Sequence, residues 1–107
     1  MSQNFSVEGQ LVDILQRKIY PASVCIKDSK IESVELLESA PLVYIMPGFI
    51  DAHVHIESSL LTPSGFARLA VRHGTVATVS DPHEIANVLG VEGVEYMLEN
   101  AEQVPFH

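Results

Sequence analysis

Between Phe49 and Glu57 the chain reads FIDAHVHIE, and its chemistry alternates residue by residue. Ile50, Ala52, Val54 and Ile56 are apolar, whereas Asp51, His53, His55 and Glu57 are all ionisable. Side chains of a β-strand point alternately to opposite faces. The spacing therefore predicts a strand with one oily face and one face bearing two imidazoles and two carboxylates, provided it stays regular through Glu57. Few folds accept such a strand, because ionisable groups packed under a helix lose hydration without compensation.

The residues that follow narrow the choice. Thr62 and Pro63 have the form of an N-cap and first residue of a helix, with Phe66, Leu69, Ala70 and His73 at helical spacing and Gly74 placed to end it. TVATVS, from Thr75 to Ser80, reads as a β-branched strand. In DPHE, Asp81 is the expected N-cap, Pro82 the first helical residue and Glu84 the third, a capping-box arrangement. Beyond Gly90, the positions Val91, Val94, Leu98 and Ala101 form an apolar helical stripe, with Glu92, Glu95, Glu99 and Glu102 away from it. Strand and helix thus alternate twice, the pattern of a parallel sheet with crossover helices. In an open doubly wound sheet both strand faces meet helices; in a (β/α)₈ barrel one face points inward, toward the catalytic mouth. The ionisable face selects the barrel.

A whole barrel takes about 250 residues, and this chain has 107. The expectation is an α/β protein holding the first two βα units of an incomplete (β/α)₈ TIM barrel in residues 47–107, with QVPFH at the start of a third strand. Residues 1–46 are expected to be β-rich: GQLVDIL as one strand, then two strands about a turn at Asp28 and Ser29, with Val24 and Ile26 on one face.

Composition excludes several functions. Hydrophobic residues make up 47% of the chain, a surplus that suggests apolar faces buried against something larger. With 14 acidic and 6 basic residues and no basic cluster, the chain is not built to neutralise nucleic-acid phosphates. No apolar run approaches the ~20 residues of a membrane span. A lone Cys25 and the absence of a signal-peptide pattern at the amino terminus fit a cytoplasmic protein.

His53 and His55 lie about 7 Å apart along a strand of 3.3 Å rise, close enough for their rings to converge on one ion. Neutral imidazole is a ligand for several divalent metals, and the two flanking carboxylates make a purely structural pair the poorer explanation. Glu57 has three open roles: a further ligand, a hydrogen-bond partner or a polar rim residue. Asp51 either orients a histidine or makes a buried structural bond. Capping alone accounts for Asp81, Pro82 and Glu84. His83 is not needed for capping and follows the carboxyl end of a strand, where barrel enzymes keep site residues; Glu84 is the weaker candidate beside it. His73 suits a helix end, and His107 carries no signal.

PGFIDAHVHIESS, from Pro47 to Ser59, resembles the first barrel strand of the amidohydrolase superfamily. Together with HIESS and DPHEIANV the resemblance is to the bacterial adenine deaminase family, and the β-rich start resembles the amino-terminal part of the small β-sandwich these enzymes carry. The resemblance implies hydrolytic deamination of adenine to hypoxanthine and ammonia in purine salvage. It implies a divalent metal, Mn²⁺ or Fe²⁺, held by His53 and His55, with Glu57, His83 and Glu84 as catalytic candidates. Such an ion lowers the pKa of water from 15.7 towards ~7, and an acid must protonate the departing ammonia. The family's remaining ligands come from later strands, so the chain alone is expected to be inactive and to need the missing carboxyl-terminal part of the barrel or a complementing chain. A homo-oligomer is a further partner expectation, and adenine is the expected small-molecule substrate. Two alternatives stand beside this reading: another cyclic-amide amidohydrolase of the dihydroorotase-like kind, and a non-catalytic assembly module derived from such an enzyme.

Overall fold

Asp28 and Ser29 both take the left-handed backbone conformation, with φ of 50° and 62°. This is the requirement of a two-residue hairpin turn whose twist matches its flanking strands. It joins β2 (Lys18–Lys27) to β3 (Lys30–Leu36), as the sequence predicts. The computed structural model describes residues 4–107, and these divide into two compact units, one ending at Pro47 and the other running from Gly48 to His107.

In the first unit β1 (Phe5–Asp13) pairs antiparallel with β2, and a short β4 (Tyr44–Ile45) adds to β1 in parallel. The sheet order is β3-β2-β1-β4. β1 begins at Phe5, earlier than GQLVDIL suggests, and ends at Asp13, whose Oδ1 accepts the Gln16 N–H at 2.8 Å to close the following turn. Register explains the amphipathic sheet. Val7 opposes Val24, which opposes Val34, and Phe5 opposes Ile26, which opposes Ile31. Directly opposed residues share a face, so these rows make one side apolar, while Ser6, Cys25 and Ser33 line the other. Ala22 and Val24 at its centre are buried. Gly9 has no side chain because the Val43 carbonyl occupies the space a Cβ would need; that carbonyl accepts the Gln10 N–H at 2.7 Å.

The second unit carries the βα alternation. β5 (Phe49–Val54) and β6 (Thr75–Ser80) pair in parallel, joined through α1 (Pro63–Ala70). Thr62 caps α1 as expected: its side chain accepts the Gly65 N–H at 3.3 Å and Pro63 opens the helix. The helix tightens into a 3₁₀ turn at Val71–His73 and stops at Gly74, whose φ of 86° suits glycine. The Gly74 carbonyl then accepts the Phe49 N–H at 2.8 Å, starting the ladder. Asn100 in α3 (Val91–Ala101) accepts the Ser64 N–H at 2.9 Å and ties α3 to the start of α1. Ile56, Ala67 and Met97 form the buried core between them.

Three expectations are corrected. β5 ends at Val54 with a register irregularity after Asp51, and residues 57–59 form a 3₁₀ turn, so the four ionisable side chains do not continue on one strand face. The cause is local: Ile56 adopts helical dihedrals and buries itself in the core. Second, Asp81 does not cap α2 (His83–Leu89), whose N-cap position is Pro82 with no side-chain cap bond. Third, the buried stripe of α3 runs through Gly93 and Met97, leaving Val91 and Leu98 exposed. A Cβ on Gly93 would sit 2.9 Å from the Ile85 carbonyl oxygen; that backbone approach of α2 and α3 sets the rotation.

At the far end, the His107 N–H donates to the Val76 carbonyl at 3.2 Å and its own carbonyl accepts the Thr78 N–H at 2.7 Å. These two bonds flank Ala77 as a parallel neighbour's would, so QVPFH does reach the free edge of β6. Among the described residues no helix is long and apolar enough to cross a membrane.

Candidate metal centre

Three histidines gather where β5 and β6 end. The Nε2 atoms of His53 and His55 are 3.1 Å apart, and the rings meet edge to face with centroids 4.9 Å apart. His83, at the start of α2, places its ring 4.7 Å from that of His55, again edge to face. Sequence periodicity put His53 and His55 together on a regular strand. The structure brings them together although His55 lies just beyond β5.

Tautomer follows from the partners. His55 Nδ1 lies 3.3 Å from the Asp81 main-chain carbonyl. A carbonyl oxygen only accepts, so Nδ1 carries the proton, and in the neutral ring Nε2 is left with a free lone pair aimed at His53. Asp81 also reaches His83, with Oδ2 3.3 Å from Nδ1. One residue thus orients two imidazoles, by its carbonyl and its carboxylate. Helix capping alone accounts for Asp81 in the sequence; its orienting role is hidden there because its carbonyl contact joins residues 26 apart. Of the two roles open to Asp51, orienting a histidine ring or making a structural bond, the structure shows the second, at an exposed position: its Oδ1 accepts the His53 main-chain N–H at 3.1 Å.

The other candidates sit in a second group of contacts. Glu57 Oε1 accepts the Ile85 N–H at 3.4 Å, while its Oε2 is buried and has no hydrogen-bond partner among the described residues. Ser58 Oγ donates to Glu84 Oε1 at 2.6 Å. His73 closes the 3₁₀ turn after α1.

Two nitrogens bound to one ion at about 2.0–2.1 Å stand roughly 3 Å apart at angles between a right angle and the tetrahedral value. The observed 3.1 Å fits that spacing, and both donors are of the right chemistry for a divalent transition metal. Among the described residues no group of three or more His, Cys, Asp or Glu side chains forms a metal-holding cluster.

Known proteins are similar to this chain in sequence. The chain is 61% identical over 107 residues to an adenine deaminase of Salinibacter ruber, covering 100% of this chain and 20% of that protein. It is 61% identical over 100 residues to one from Sulfurovum sp., covering 94% of this chain and 19% of that protein. An adenine deaminase of Borreliella burgdorferi is 52% identical over 102 residues, covering 95% of this chain and 19% of its own length. The chain spans about a fifth of the length of these curated relatives. Residues 44–107, the larger part of the chain and the part that holds all three gathered histidines, match the model of the Amidohydrolase family, and the chain belongs to that family.

Proposed function

We propose that this chain supplies the first part of a metal-dependent adenine deaminase, which hydrolyses adenine to hypoxanthine and ammonia in purine salvage in the cytoplasm. On this reading the antiparallel sheet is part of a small β-sandwich, and β5-α1-β6-α2-α3 are the first two βα units of a (β/α)₈ barrel. The observation that carries the reading is the 3.1 Å approach of two imidazole nitrogens, one with its tautomer fixed by Asp81, in a chain whose relatives bear that enzyme name.

His53 and His55 would hold the ion, Mn²⁺ or Fe²⁺, through Nε2, and His53 then carries its proton on Nδ1. The ion's contribution is to make hydroxide available near neutral pH. This chain's residues do the orienting. The Asp81 carbonyl keeps the His55 proton off Nε2, and the His83 ring braces His55 from the side. Adenine's amine offers N–H donors, which a carboxylate such as Glu84 can accept. Departing ammonia needs a proton: His83, held at Nδ1 by Asp81, would take on Nε2 the proton that the attacking water gives up and pass it to the leaving amine.

A chimera tests the reading: residues 1–107 replace the matching fifth of the Salinibacter ruber relative. It should release ammonia from adenine, lose that activity to a chelator and regain it with Mn²⁺. A folded, Mn²⁺-loaded chimera that leaves adenine intact would rule the assignment out.

A further inference from the structure

We propose that Glu57 and Ser58 are positioning residues, a two-point latch by which the turn after β5 fixes the first turn of α2 and so sets His83 and Glu84 against the histidine pair. The inference rests on the metal-centre reading of that pair for its functional meaning, although the latch itself is tested without a metal.

The turn is a firm base. The Ser58, Ser59 and Leu60 N–H groups donate to the carbonyls of His55, Ile56 and Glu57 at 3.1, 3.0 and 2.9 Å, and Ser59 Oγ adds a 2.6 Å bond to the Ile56 carbonyl. Leu60 closes it in the left-handed conformation, with φ of 61°. What the turn grips is an incomplete helix start. The first N–H groups of any helix lack intrahelical partners, and α2 has no cap from its own flanking side chains. Glu57 supplies one from 28 residues away, accepting the Ile85 N–H. Its other oxygen stays buried without a partner among the described residues, an unfavourable placement. The neighbouring Ser58 donates its only hydroxyl proton to Glu84 Oε1 at 2.6 Å, the length of a charge-assisted bond, which leaves Glu84 Oε2 outside that bond. His83 is the first residue of the same helix, so the turn's hold on Glu84 and Ile85 also fixes the ring that abuts His55.

Amide hydrogen exchange and imidazole ring signals, read by NMR on the full 107-residue chain without metal, test the latch. Glu57→Ala should speed exchange at Ile85 about tenfold, the scale of a lost helix cap, while Gly65, capped by Thr62, stays within about twofold. Both Glu57→Ala and Ser58→Ala should shift the His83 ring signals. Glu57→Gln, which keeps an acceptor oxygen, and Ser58→Thr, which keeps the hydroxyl, should restore the parent values. Ser58 is exposed, so Ser58→Ala decides the matter even if Glu57→Ala unfolds. Unchanged His83 signals in folded Ser58→Ala, or equal acceleration at Ile85 and Gly65 in Glu57→Ala, would overturn the latch. Latch behaviour as expected, in a chain whose histidine pair ignores Mn²⁺, would overturn the metal reading alone.

Discussion

His55 Nε2 and His53 Nε2 face each other across 3.1 Å, and the proton that would block His55 is held on its far side by the Asp81 carbonyl. The arrangement joins a contact within one strand end to a contact from the next βα unit. Its consequence is that neither imidazole substitutes for the other.

Either His53→Ala or His55→Ala, placed in the chimera with the Salinibacter ruber relative, should therefore lower both retained Mn²⁺ and adenine deamination by more than about 100-fold, beyond the 10–100-fold typical of residues that only support a ligand. Metal analysis after gel filtration and an ammonia assay read the two effects. Retention of metal by both variants would assign the ion to other residues.

By itself the 107-residue chain should release no measurable ammonia from adenine, with or without added Mn²⁺. Catalytic metal sites use about three protein ligands with one position open, and the described residues bring together two nitrogens and no larger cluster. Ammonia release at a rate comparable to the relatives would contradict this.

Helix starts offer a contrast in stability. Thr62→Ala removes a side-chain cap from α1 and should cost about 1 kcal/mol. Asp81→Ala removes no cap from α2, and its exposed contact with His83 is worth about 0–1 kcal/mol by the scale of surface pairs. Urea denaturation of the two variants gives the comparison, and a loss for Asp81→Ala clearly larger than that for Thr62→Ala would mean that Asp81 caps α2 after all.

That contrast also shows where sequence reading reached its limit. Thr62 and Pro63 were legible because a cap acts within three residues of itself, and the hairpin at Asp28 and Ser29 was legible for the same reason. DPHE carries an equally good local pattern, yet α2 takes its acceptor from Glu57, 28 residues away, which no local pattern encodes. The alternation from Ile50 to Glu57 identified the histidine pair, and their proximity survives. It overextended the strand, since burial of Ile56 in the core outweighs continued pairing. The Asp81 carbonyl was beyond reach in principle: a main-chain group leaves no trace in residue identity.

Packing between α2 and α3 supplies a further check. Alanine at Gly93 gains about 1 kcal/mol of helix propensity. Its Cβ would meet the Ile85 carbonyl oxygen at 2.9 Å and Leu89 Cβ at 3.0 Å, and overpacking of this kind costs about 1–3 kcal/mol. The obstacle includes backbone, which cannot swing away as a flexible side chain can, so the loss prevails. Gly93→Ala should lower Tm by a few degrees, about 4–8 °C per kcal/mol for a unit of this size. A raised Tm would mean that α2 and α3 are not in backbone contact.

Mn²⁺ titration of this chain, followed through its imidazole ring signals, tests the central claim most directly. The chain has five histidines, and a paramagnetic ion broadens the nearest rings first. Substoichiometric Mn²⁺ should erase the His53 and His55 signals ahead of those of His73 and His107, and His53→Ala should abolish that preference. Uniform broadening of all five rings, or none, would show that the pair does not bind a divalent cation.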